Sequence, residues 1–598
     1  MSKSRPSRIT RRQFLIGAGT ALAGAALACG REPEVTTRVV STSAPAPALT
    51  PTGAPTRLAT PSITPTASAP GSADMLLLNG KVITVDAADT ITQAVAVKDG
   101  LIQAVGSSEK VKALAGEETK TVDLKGKVVT PGLIDAHNHL QVVGLMDSYY
   151  TAFLPPEVKS IPELQKKLAE IVAKTPKGEW IKGYYWTVGE SKMIKRQDLD
   201  TVSPDHPVWL MQQGGHYGSA NSLAIKMAGI TSATPNPTGG IIERDASGQP
   251  TGVFYNHRAM DLLRKDIPLW TLDMARENIV TTQSRFAACG VASFQDNNVR
   301  GTDVIATYLE AGKQGKMALR GAVYYTLEWP QDLDRALKEI EHYQDPFMRF
   351  AGFKFLIDGQ PPTAYCHQPH NGIQWNMPTW EPQSFKKAVR ALHDTGLQIC
   401  VHCAGDAAAD LTLDAYAEAM KANPRPDPRH RIEHAVLTTP EATKRIKDLG
   451  VVVSTQPQFL RSGGDYWETI FGEQRNKRAI VTREWLNAGI VVALGSDAPT
   501  TPWYTPQATL AGAVSRLTAS GRVHEPDQRM TIQEALRAHT MDSAYAAHEE
   551  KIKGSIEVGK LADLVVWAED PYTAPLKRLM QLPVSMTIVG GKTVYQAT

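Results

Sequence analysis

Short apolar runs separated by turn residues occur near both ends of the chain. Residues 75–106 contain such runs with Asn-Gly and Asp-Gly steps between them, a pattern typical of β-hairpins. Residues 562–595 show the same pattern. We therefore expect both ends to combine in one composite β-sandwich, formed by residues 75–130 and 550–598.

The middle of the chain shows a different pattern, in which a helix, a glycine and an apolar strand follow one another repeatedly. Three such units have helices over 385–395, 441–449 and 483–488, glycines at 396, 450 and 489, and strands over 397–402, 451–455 and 490–494. The glycines stand where a helix end needs a positive φ. Because this alternation produces parallel sheets, residues 131–549 are predicted to form an α/β fold, a (β/α)8 barrel.

The first 28 residues hold five basic residues and no acidic one, with Arg11-Arg12 followed by a Gly- and Ala-rich run. This pattern predicts a twin-arginine signal peptide over residues 1–28, too short to span a membrane. Ala26-Leu27-Ala28 before Cys29 fits both ordinary cleavage and a lipobox, and we favour lipidation of Cys29. Residues 29–74, rich in Pro, Thr, Ser and Ala, are predicted to be a disordered tether. We expect an exported protein of the cell surface or periplasm, with Cys29 as its membrane anchor.

The charge balance excludes one class of partner. The 598-residue chain has a formal charge of +3, but without the five basic residues of the signal it has 59 basic and 61 acidic residues. No electrostatic footprint for nucleic acid remains. We expect a small-molecule substrate, and the sequence is compatible with a homodimer.

An apolar run over residues 128–136 ends in His137-Asn138-His139. Because side chains alternate along a strand, both imidazoles point to one side and can bind one metal ion. Four further residues end predicted strands, and each has a structural alternative. These are an ion pair with Asp358 for Lys354, hydrogen-bonded core positions for His402 and His434, and a helix cap for Asp497. Six such residues at strand ends, where barrels carry their chemistry, nevertheless predict one metal centre.

Cys400 and Cys403 flank His402 in a Cys-x-x-Cys motif. In a strand, positions i and i+3 face opposite ways and lie roughly 10 Å apart, beyond the reach of a disulfide. We therefore expect buried structural thiols.

At this point the chain resembles a known family. The order His-x-His, Lys, His, His, Asp, with residues 130–139 in front and 554–565 behind, resembles the metal-dependent amidohydrolase superfamily. The resemblance spans about residues 75–595 and implies a TIM barrel, a composite β-sandwich and an insertion after the first barrel strand, over about 150–270. Several stretches are similar to the branch that includes N-substituted formamide deformylases: 178–183, 206–210, 215–216, 221–222, 353–359 and 402–406.

The resemblance also implies a ligand set. His137, His139 and Asp497 would hold one ion, His402 and His434 a second, and Lys354, carbamylated by carbon dioxide, would bridge them. Neutral imidazoles and a carboxylate suit zinc, and burial lowers a lysine pKa so that the amine can react. A single-ion centre is the alternative. The metal would lower the pKa of water from about 15.7 toward about 7, and Asp497 would act as ligand and general base.

Four other side chains are candidates for substrate contact. His216, after the predicted strand 208–211, would hold the carbonyl oxygen or the substrate, or else be a hydrogen-bonded loop residue. Trp503, Tyr504 and Trp186 would line an apolar pocket, with aromatic loop packing as the alternative. The chain departs from the family pattern at Asn256 and at 360–362, near the expected substrate, so no particular substrate carries over.

Three functions remain open from the sequence. The favoured one is hydrolysis of a carbon–nitrogen bond in an N-substituted amide, formamide, carbamate or urea. A lactone or ester hydrolase would use the same nucleophile, and a substrate panel separates the two. A non-catalytic tethered binding protein is the third, although such a protein would be free to lose Lys354 or Asp497.

Overall fold

The computed structural model describes residues 71–185, 193–268, 270–361, 363–370 and 377–598. Eight parallel strands follow one another in chain order in the central sheet. The backbone N–H of Asp497, just after the last strand, donates to the carbonyl of His137 at 2.7 Å, so the first and last strands meet. The predicted TIM barrel is confirmed. Its strands are β1 (Leu133–Asn138), β2 (Val291–Val299), β3 (Arg320–Leu327), β4 (Met348–Leu356), β5 (Gln398–Cys403), β6 (Arg431–His434), β7 (Val452–Thr455) and β8 (Val492–Leu494).

The helices of the three predicted units are present, over Pro382–His393, Pro440–Asp448 and Thr482–Asn487. They start one to three residues before the predicted positions; in the first two, Glu381 and Thr439 cap the backbone and a proline follows. The glycines after the three helices have φ of 88°, 62° and 71°, as predicted. The other helices after β1 and outside the insertion are Leu140–Tyr149, Leu272–Thr281, Gln283–Ala288, Thr302–Lys313, Asp332–Glu339, Asp406–Ala422, Phe459–Phe471, Glu473–Asn476, Pro506–Ser515, Ile532–Ala538 and Met541–Ala546.

Both ends of the chain form the predicted composite β-sandwich. Strand Leu564–Trp567 pairs antiparallel with Val128–Pro131, so the C-terminal segment completes an N-terminal sheet. Apolar side chains of the two sheets, among them Leu77, Val129 and Ile588, pack in one cluster. The sheets are, in order, Leu101–Gly106, Ala94–Lys98, Met75–Leu78 and Lys120–Asp123; and Lys592–Gln596, Val584–Val589, Leu564–Trp567, Val128–Pro131, Lys81–Ile83 and Ile91–Thr92, with helices Ser108–Lys112 and Leu576–Leu579.

The chain segment between β1 and β2 is the predicted insertion, and it forms a separate mixed sheet. Strand Val208–Gln212 runs through its middle and leads to His216. The strands are, in sheet order, Ile241–Arg244, Pro250–Tyr255, Tyr217–Ala220, Val208–Gln212, Ile181–Tyr185 and Thr151–Phe153, with helices Ile161–Val172, Arg196–Asp200, Ser222–Met227 and Asn256–Arg264.

The predicted signal peptide, Cys29, most of the tether and Trp186 lie outside the described residues. Residues 71–74, predicted as the end of the tether, are ordered: the backbone N–H of Asp74 donates to Val97 at 2.8 Å, and its carboxylate accepts from Lys98. Ala73 packs in a buried apolar cluster, a contact that the composition of this stretch did not indicate. Among the helices of the described residues, none has the length and apolar character needed to cross a membrane.

A buried ion pair joins the barrel to the sandwich. Arg320, at the start of β3, donates to Asp563 at 2.7 and 3.0 Å, and both side chains are about 5% exposed. Removing one partner from such a pair leaves an uncompensated buried charge, which costs about 3 to 5 kcal/mol.

We predict that Asp563→Asn lowers the thermal unfolding midpoint clearly, because the Arg320 guanidinium keeps its charge without a counterion. The matched control is Asp448→Asn, whose ion pair with Lys444 is exposed to solvent and contributes little. Scanning fluorimetry at one fixed heating rate measures both. Equal midpoints for the two variants would contradict this account of the junction.

Candidate metal centre

Three of the predicted ligands meet where β1 adjoins β8. His137 and His139 lie on β1 and immediately after it, and Asp497 follows β8. Asp497 Oδ1 is 2.9 Å from His139 Nε2 and 3.4 Å from His137 Nε2. One ligand atom from each of the three buried residues can be chosen so that all lie within 4.8 Å of one another. Two imidazoles and a carboxylate at this spacing can hold one divalent ion.

The other three predicted ligands lie beside this group. The His434 ring, at the end of β6, is 4.6 Å from the ring of His137 and 4.4 Å from that of His402, on β5. Lys354, on β4, is 2% exposed and lines the same cavity. No ion pair or hydrogen bond of its amine, with Asp358 or with any other group, occurs within the described residues. All six side chains selected from the sequence are thus brought together.

Three of the histidines are oriented by a partner on Nδ1. His137 Nδ1 lies 2.5 Å from Glu433 Oε2, and His402 Nδ1 lies 2.8 Å from Asp358 Oδ1. His434 Nδ1 lies 2.7 Å from Gln456 Oε1. Since each of these oxygens accepts, the proton sits on Nδ1, and Nε2 presents its lone pair to the centre.

The resulting arrangement fits a cation. His137 Nε2 is buried and has no hydrogen-bond partner within the described part of the chain. Its lone pair faces the Asp497 carboxylate at 3.4 Å, so two acceptors lie opposite each other between largely buried side chains. Such a contact is unfavourable unless a positive charge lies between the atoms.

The electrostatics agree with this conclusion. Burial, helped by the nearby Lys354, lowers the pKa of His137 and of His402 well below the ordinary value, so both are neutral. Burial opposes charge on His139 as well, but Asp296 and Asp497 outweigh it and raise the pKa of that imidazole. The cluster therefore favours positive charge between His139 and Asp497, which a divalent ion would supply in place of a proton. Burial also lowers the pKa of the Lys354 amine.

Two of the predicted ligands adopt an unusual backbone conformation. His434 has a φ of 71° and Asp497 a φ of 50°, both in the left-handed region that disfavours residues with a Cβ. Strain of this kind costs of order 1 to 3 kcal/mol and persists only where the surroundings hold it. Here the hydrogen bond between Asp497 N and His137 O provides such a hold.

A cavity of about 460 Å³ opens over the centre. Apolar side chains from the insertion and from the helix after β1, including Trp209, Met211 and Met146, form much of its wall. His216 is buried there, 4.9 Å from the His402 ring, and its Nδ1 has no hydrogen-bond partner among the described residues.

The predicted aromatic pocket is not part of this wall. Trp503 and Tyr504 are not among the described residues that line the cavity. Trp503 lies 5.2 Å from the guanidinium of Arg461, and the Tyr504 hydroxyl accepts from Arg285 at 2.5 Å. These contacts match the loop-packing alternative, and substrate contact by either residue stays a prediction.

The sequence reasoning did not assign roles to the groups that hold the ligands. Glu433 stands beside His434 in the chain but orients His137, and it is itself held by Arg431 at 2.7 Å. Ser496 donates from its backbone and hydroxyl to Asp135 at 2.7 and 2.6 Å. The only signal for these groups in the sequence was their position, since Glu433 and Ser496 each stand next to a predicted ligand. Cys400 and Cys403 are buried free thiols, as predicted.

An eight-stranded parallel barrel with a buried His-His-Asp group at the carboxyl ends of its strands defines a metal-dependent hydrolase of the TIM-barrel class. A profile of the Amidohydrolase family matches residues 120–595. N-substituted formamide deformylase of Arthrobacter pascens is 32% identical over 88% of this chain and 99% of that protein. Putative amidohydrolase YtcJ of Bacillus subtilis is 28% identical over 84% of this chain and 96% of its own length. A crystal structure of an uncharacterized metal-dependent hydrolase from Pyrococcus furiosus, 25% identical, covers 83% of this chain and all of that one, with a TM-score of 0.64.

The chain belongs to the amidohydrolase family, in the branch similar to the formamide deformylase. It is a hydrolase acting on carbon–nitrogen bonds, as the sequence predicted, and a divalent metal is its cofactor.

We predict that Glu433→Gln weakens metal binding by about 10- to 100-fold, because a neutral amide accepts more weakly than a carboxylate and therefore no longer raises the basicity of His137. Titration of the metal-free protein with zinc, in competition with a chromophoric chelator, measures the dissociation constant. Glu118→Gln, on the exposed surface of the sandwich, is the control. Unchanged affinity in a folded Glu433→Gln variant would show that this contact does not tune the centre.

Proposed function

We propose that this protein hydrolyses the carbon–nitrogen bond of an N-substituted amide, formamide, carbamate or urea. The observation that carries the proposal is the cluster of His137, His139 and Asp497 below a largely apolar cavity of about 460 Å³. Pockets of this size bury most of a small organic molecule, and a few polar groups at the base orient it.

The metal is zinc in this proposal. His137, His139 and Asp497 would hold one ion, and His402 and His434 a second, bridged by carbamylated Lys354. A bound divalent ion lowers the pKa of water and polarises a carbonyl.

Asp497 is the residue that moves the proton. Its pKa is kept below the ordinary value, because the contacts with His139 and His434 outweigh the effect of burial, so it is available as a base. Thr500 donates to its Oδ2 at 2.7 Å and fixes the plane of the carboxylate. As water adds to the substrate carbonyl carbon, Asp497 takes a proton from it and delivers that proton to the leaving nitrogen. The carbon–nitrogen bond then breaks to give an acid and an amine.

His216 would bind the carbonyl oxygen. Burial and the neighbouring His402 lower its pKa well below the ordinary value, so it is neutral and can donate one hydrogen bond without adding charge. Its position beside the His402 ring supports this role.

Metal analysis and a substrate panel together test the proposal. We expect one to two equivalents of metal in the purified protein, and turnover of N-benzylformamide or aryl carbamates that a chelator abolishes and zinc restores. Asp497→Asn is expected to lower kcat by about 100- to 10,000-fold, as for loss of a general base, whereas the exposed Asp527→Asn is the control.

The outcomes of this test are distinct. Turnover of lactones or esters, with no turnover of any amide, would indicate that the protein is a lactone or ester hydrolase. If no metal binds even after reconstitution with zinc and bicarbonate, the six-ligand centre is wrong and the binding protein replaces it.

We also propose that the protein is exported by the twin-arginine route and anchored by a lipid on Cys29. Support comes from Arg11-Arg12, the small apolar run and the Pro-rich segment. Replacing both arginines with lysine is expected to retain the protein in the cytoplasm, and Cys29→Ser to release it from membranes into the soluble exported fraction. Fractionation and immunoblotting measure both. A Cys29→Ser protein that still sediments with membranes would refute the lipid anchor.

A further inference from the structure

One part of the lining of the large cavity is charged. Asp261 and Arg264, near the end of helix Asn256–Arg264 of the insertion, line it together with Arg300, just after β2, and Glu328, just after β3. We call these four residues the charged wall. The exposed fraction of each side chain lies between 22% and 30%. The proposed hydrolysis uses none of them, so their burial beside the substrate space needs another explanation.

His257 links the charged wall to the metal centre. Its ring is 5.6 Å from the ring of His216, which in turn is 4.9 Å from the ring of His402. Arg264 and Arg300 both lie within 3.3 Å of the His257 nitrogens. The charged wall is therefore too far from the metal centre to act on the bond that breaks, but it lies within reach of the far end of a substrate.

His257 cannot satisfy the guanidinium donors that face it. Burial, helped by Arg300 and Arg264, lowers the pKa of His257 well below the ordinary value, so the ring is neutral and has one accepting nitrogen. Its Nδ1 lies 3.3 Å from Arg264 Nη1 and 3.3 Å from Arg300 Nη2, and its Nε2 lies 3.1 Å from Arg300 Nη2. Whichever nitrogen carries the proton, the donors outnumber the acceptor.

Arg264 has the larger unused donor capacity. Its Nη1 lies 3.3 Å from Asp261 Oδ1, and its Nη2 reaches the sulfur of Met211 at 3.8 Å. Within the described residues, Nη2 has no oxygen acceptor and Nε has no hydrogen-bond partner. Nε and Nη2 form the edge of a guanidinium that can bind a carboxylate through two parallel hydrogen bonds. Met211 also lines the large cavity, so this edge lies beside that space.

A third guanidinium adds positive charge to this region. Arg258, on the same helix as Arg264, forms no ion pair in the described part of the chain. Its guanidinium carbon lies 3.2 Å from the centre of the Trp329 ring, and its buried Nη1 lacks a hydrogen-bond partner among the described residues. The two acids of the charged wall oppose a ligand with two negative charges, so a single negative charge fits best.

We propose that the charged wall is a carboxylate subsite, in which Arg264, together with Arg300, binds a carboxylate at the end of the substrate remote from the bond that breaks. Apolar side chains that line the same cavity, among them Trp270 and Ile267, pack on the body of that substrate. This inference rests on the proposed carbon–nitrogen hydrolysis. It names the substrates as amides that carry a carboxylate on an apolar body.

Matched pairs of amides test the proposal on the metal-loaded protein. The first pair is 4-(formamidomethyl)benzoate and N-(4-acetylbenzyl)formamide, with the carboxylate on the amine part. The second is 4-(benzylcarbamoyl)benzoate and N-benzyl-4-acetylbenzamide, with the carboxylate on the acyl part. Within each pair a neutral acetyl group of similar size replaces the carboxylate, and the ratio of the two kcat/KM values is the carboxylate preference. Calorimetric titration with 4-methylbenzoate measures anion binding without turnover.

We expect at least one pair to favour the carboxylate by at least about tenfold, as for a charge-assisted hydrogen bond. Arg264→Gln should lower that preference by at least about tenfold. Glu328→Gln should raise it by about threefold or more, because Arg300 loses its carboxylate partner and becomes available to the substrate. Arg335→Gln, whose side chain is 56% exposed, is the matched control and should leave the preference unchanged. The affinity for 4-methylbenzoate should change in the same directions.

The opposite effects of the two variants separate recognition from support. If Arg264→Gln and Glu328→Gln lower the preference alike, the charged wall only holds the insertion against the barrel. A preference near one in both pairs, or one that neither variant changes, as for a carboxylate bound by the metal, also overturns the subsite while amide hydrolysis stands.

A result without turnover is equally decisive. If no amide is consumed but 4-methylbenzoate binds more weakly to Arg264→Gln and more tightly to Glu328→Gln, the subsite stands and the proposed function falls. If no amide is consumed and both variants bind 4-methylbenzoate as the unchanged protein does, both proposals fall.

Discussion

The contact between Asp135 and Ser496 is the interaction on which the centre depends. Asp135 lies two residues before His137, and Ser496 directly precedes Asp497, so their paired hydrogen bonds of 2.7 and 2.6 Å join the strands that carry three of the predicted ligands. Burial raises the pKa of Asp135 to about 6, but donors from Ser496 oppose that cost and keep the clamp in place. Gly495 completes the approach, because a Cβ there would lie 2.5 Å from the His137 backbone nitrogen.

Apart from the contact between Asp135 and Ser496, the main energetic feature of the site is the burial of charged and polar side chains. The neutral imidazoles, the carboxylate and an unpaired lysine are taken out of water together, which is unfavourable unless each group has a partner. Glu433, Asp358 and Gln456 occupy the outer nitrogens of three imidazoles, and the inner atoms face one another across the centre. Only a cation completes this arrangement. The same reasoning explains the strained backbone at His434 and Asp497, since a precise inward direction is required there.

The positions of the predicted ligands can be inferred from local sequence patterns, whereas the contacts that orient them cannot. Alternation along β1 is enough to place His137 and His139 on one side, and glycines after the helices are enough to mark the repeating units. Strand ends then select Lys354, His402, His434 and Asp497, because a barrel gathers such ends on one face. What orients the ligands depends on contacts between strands: Glu433 serves His137 across the barrel, almost 300 positions away, although its chain neighbour is His434. No periodicity encodes that pairing. The same holds for His216, which comes from the insertion to stand beside His402.

This separation also explains how one centre can serve different substrates. The six predicted ligands stand on or directly after barrel strands, whereas much of the cavity walls comes from the insertion and from helix Phe459–Phe471, which supply none of the six. A change at Trp209 or Tyr466 therefore alters shape without moving the cluster, while a change at Asp135 or Ser496 would shift His137 and Asp497 together and affect every substrate alike. The walls meet the cluster at two places, where His216 of the insertion lies beside His402 and where Phe459 stacks on His434.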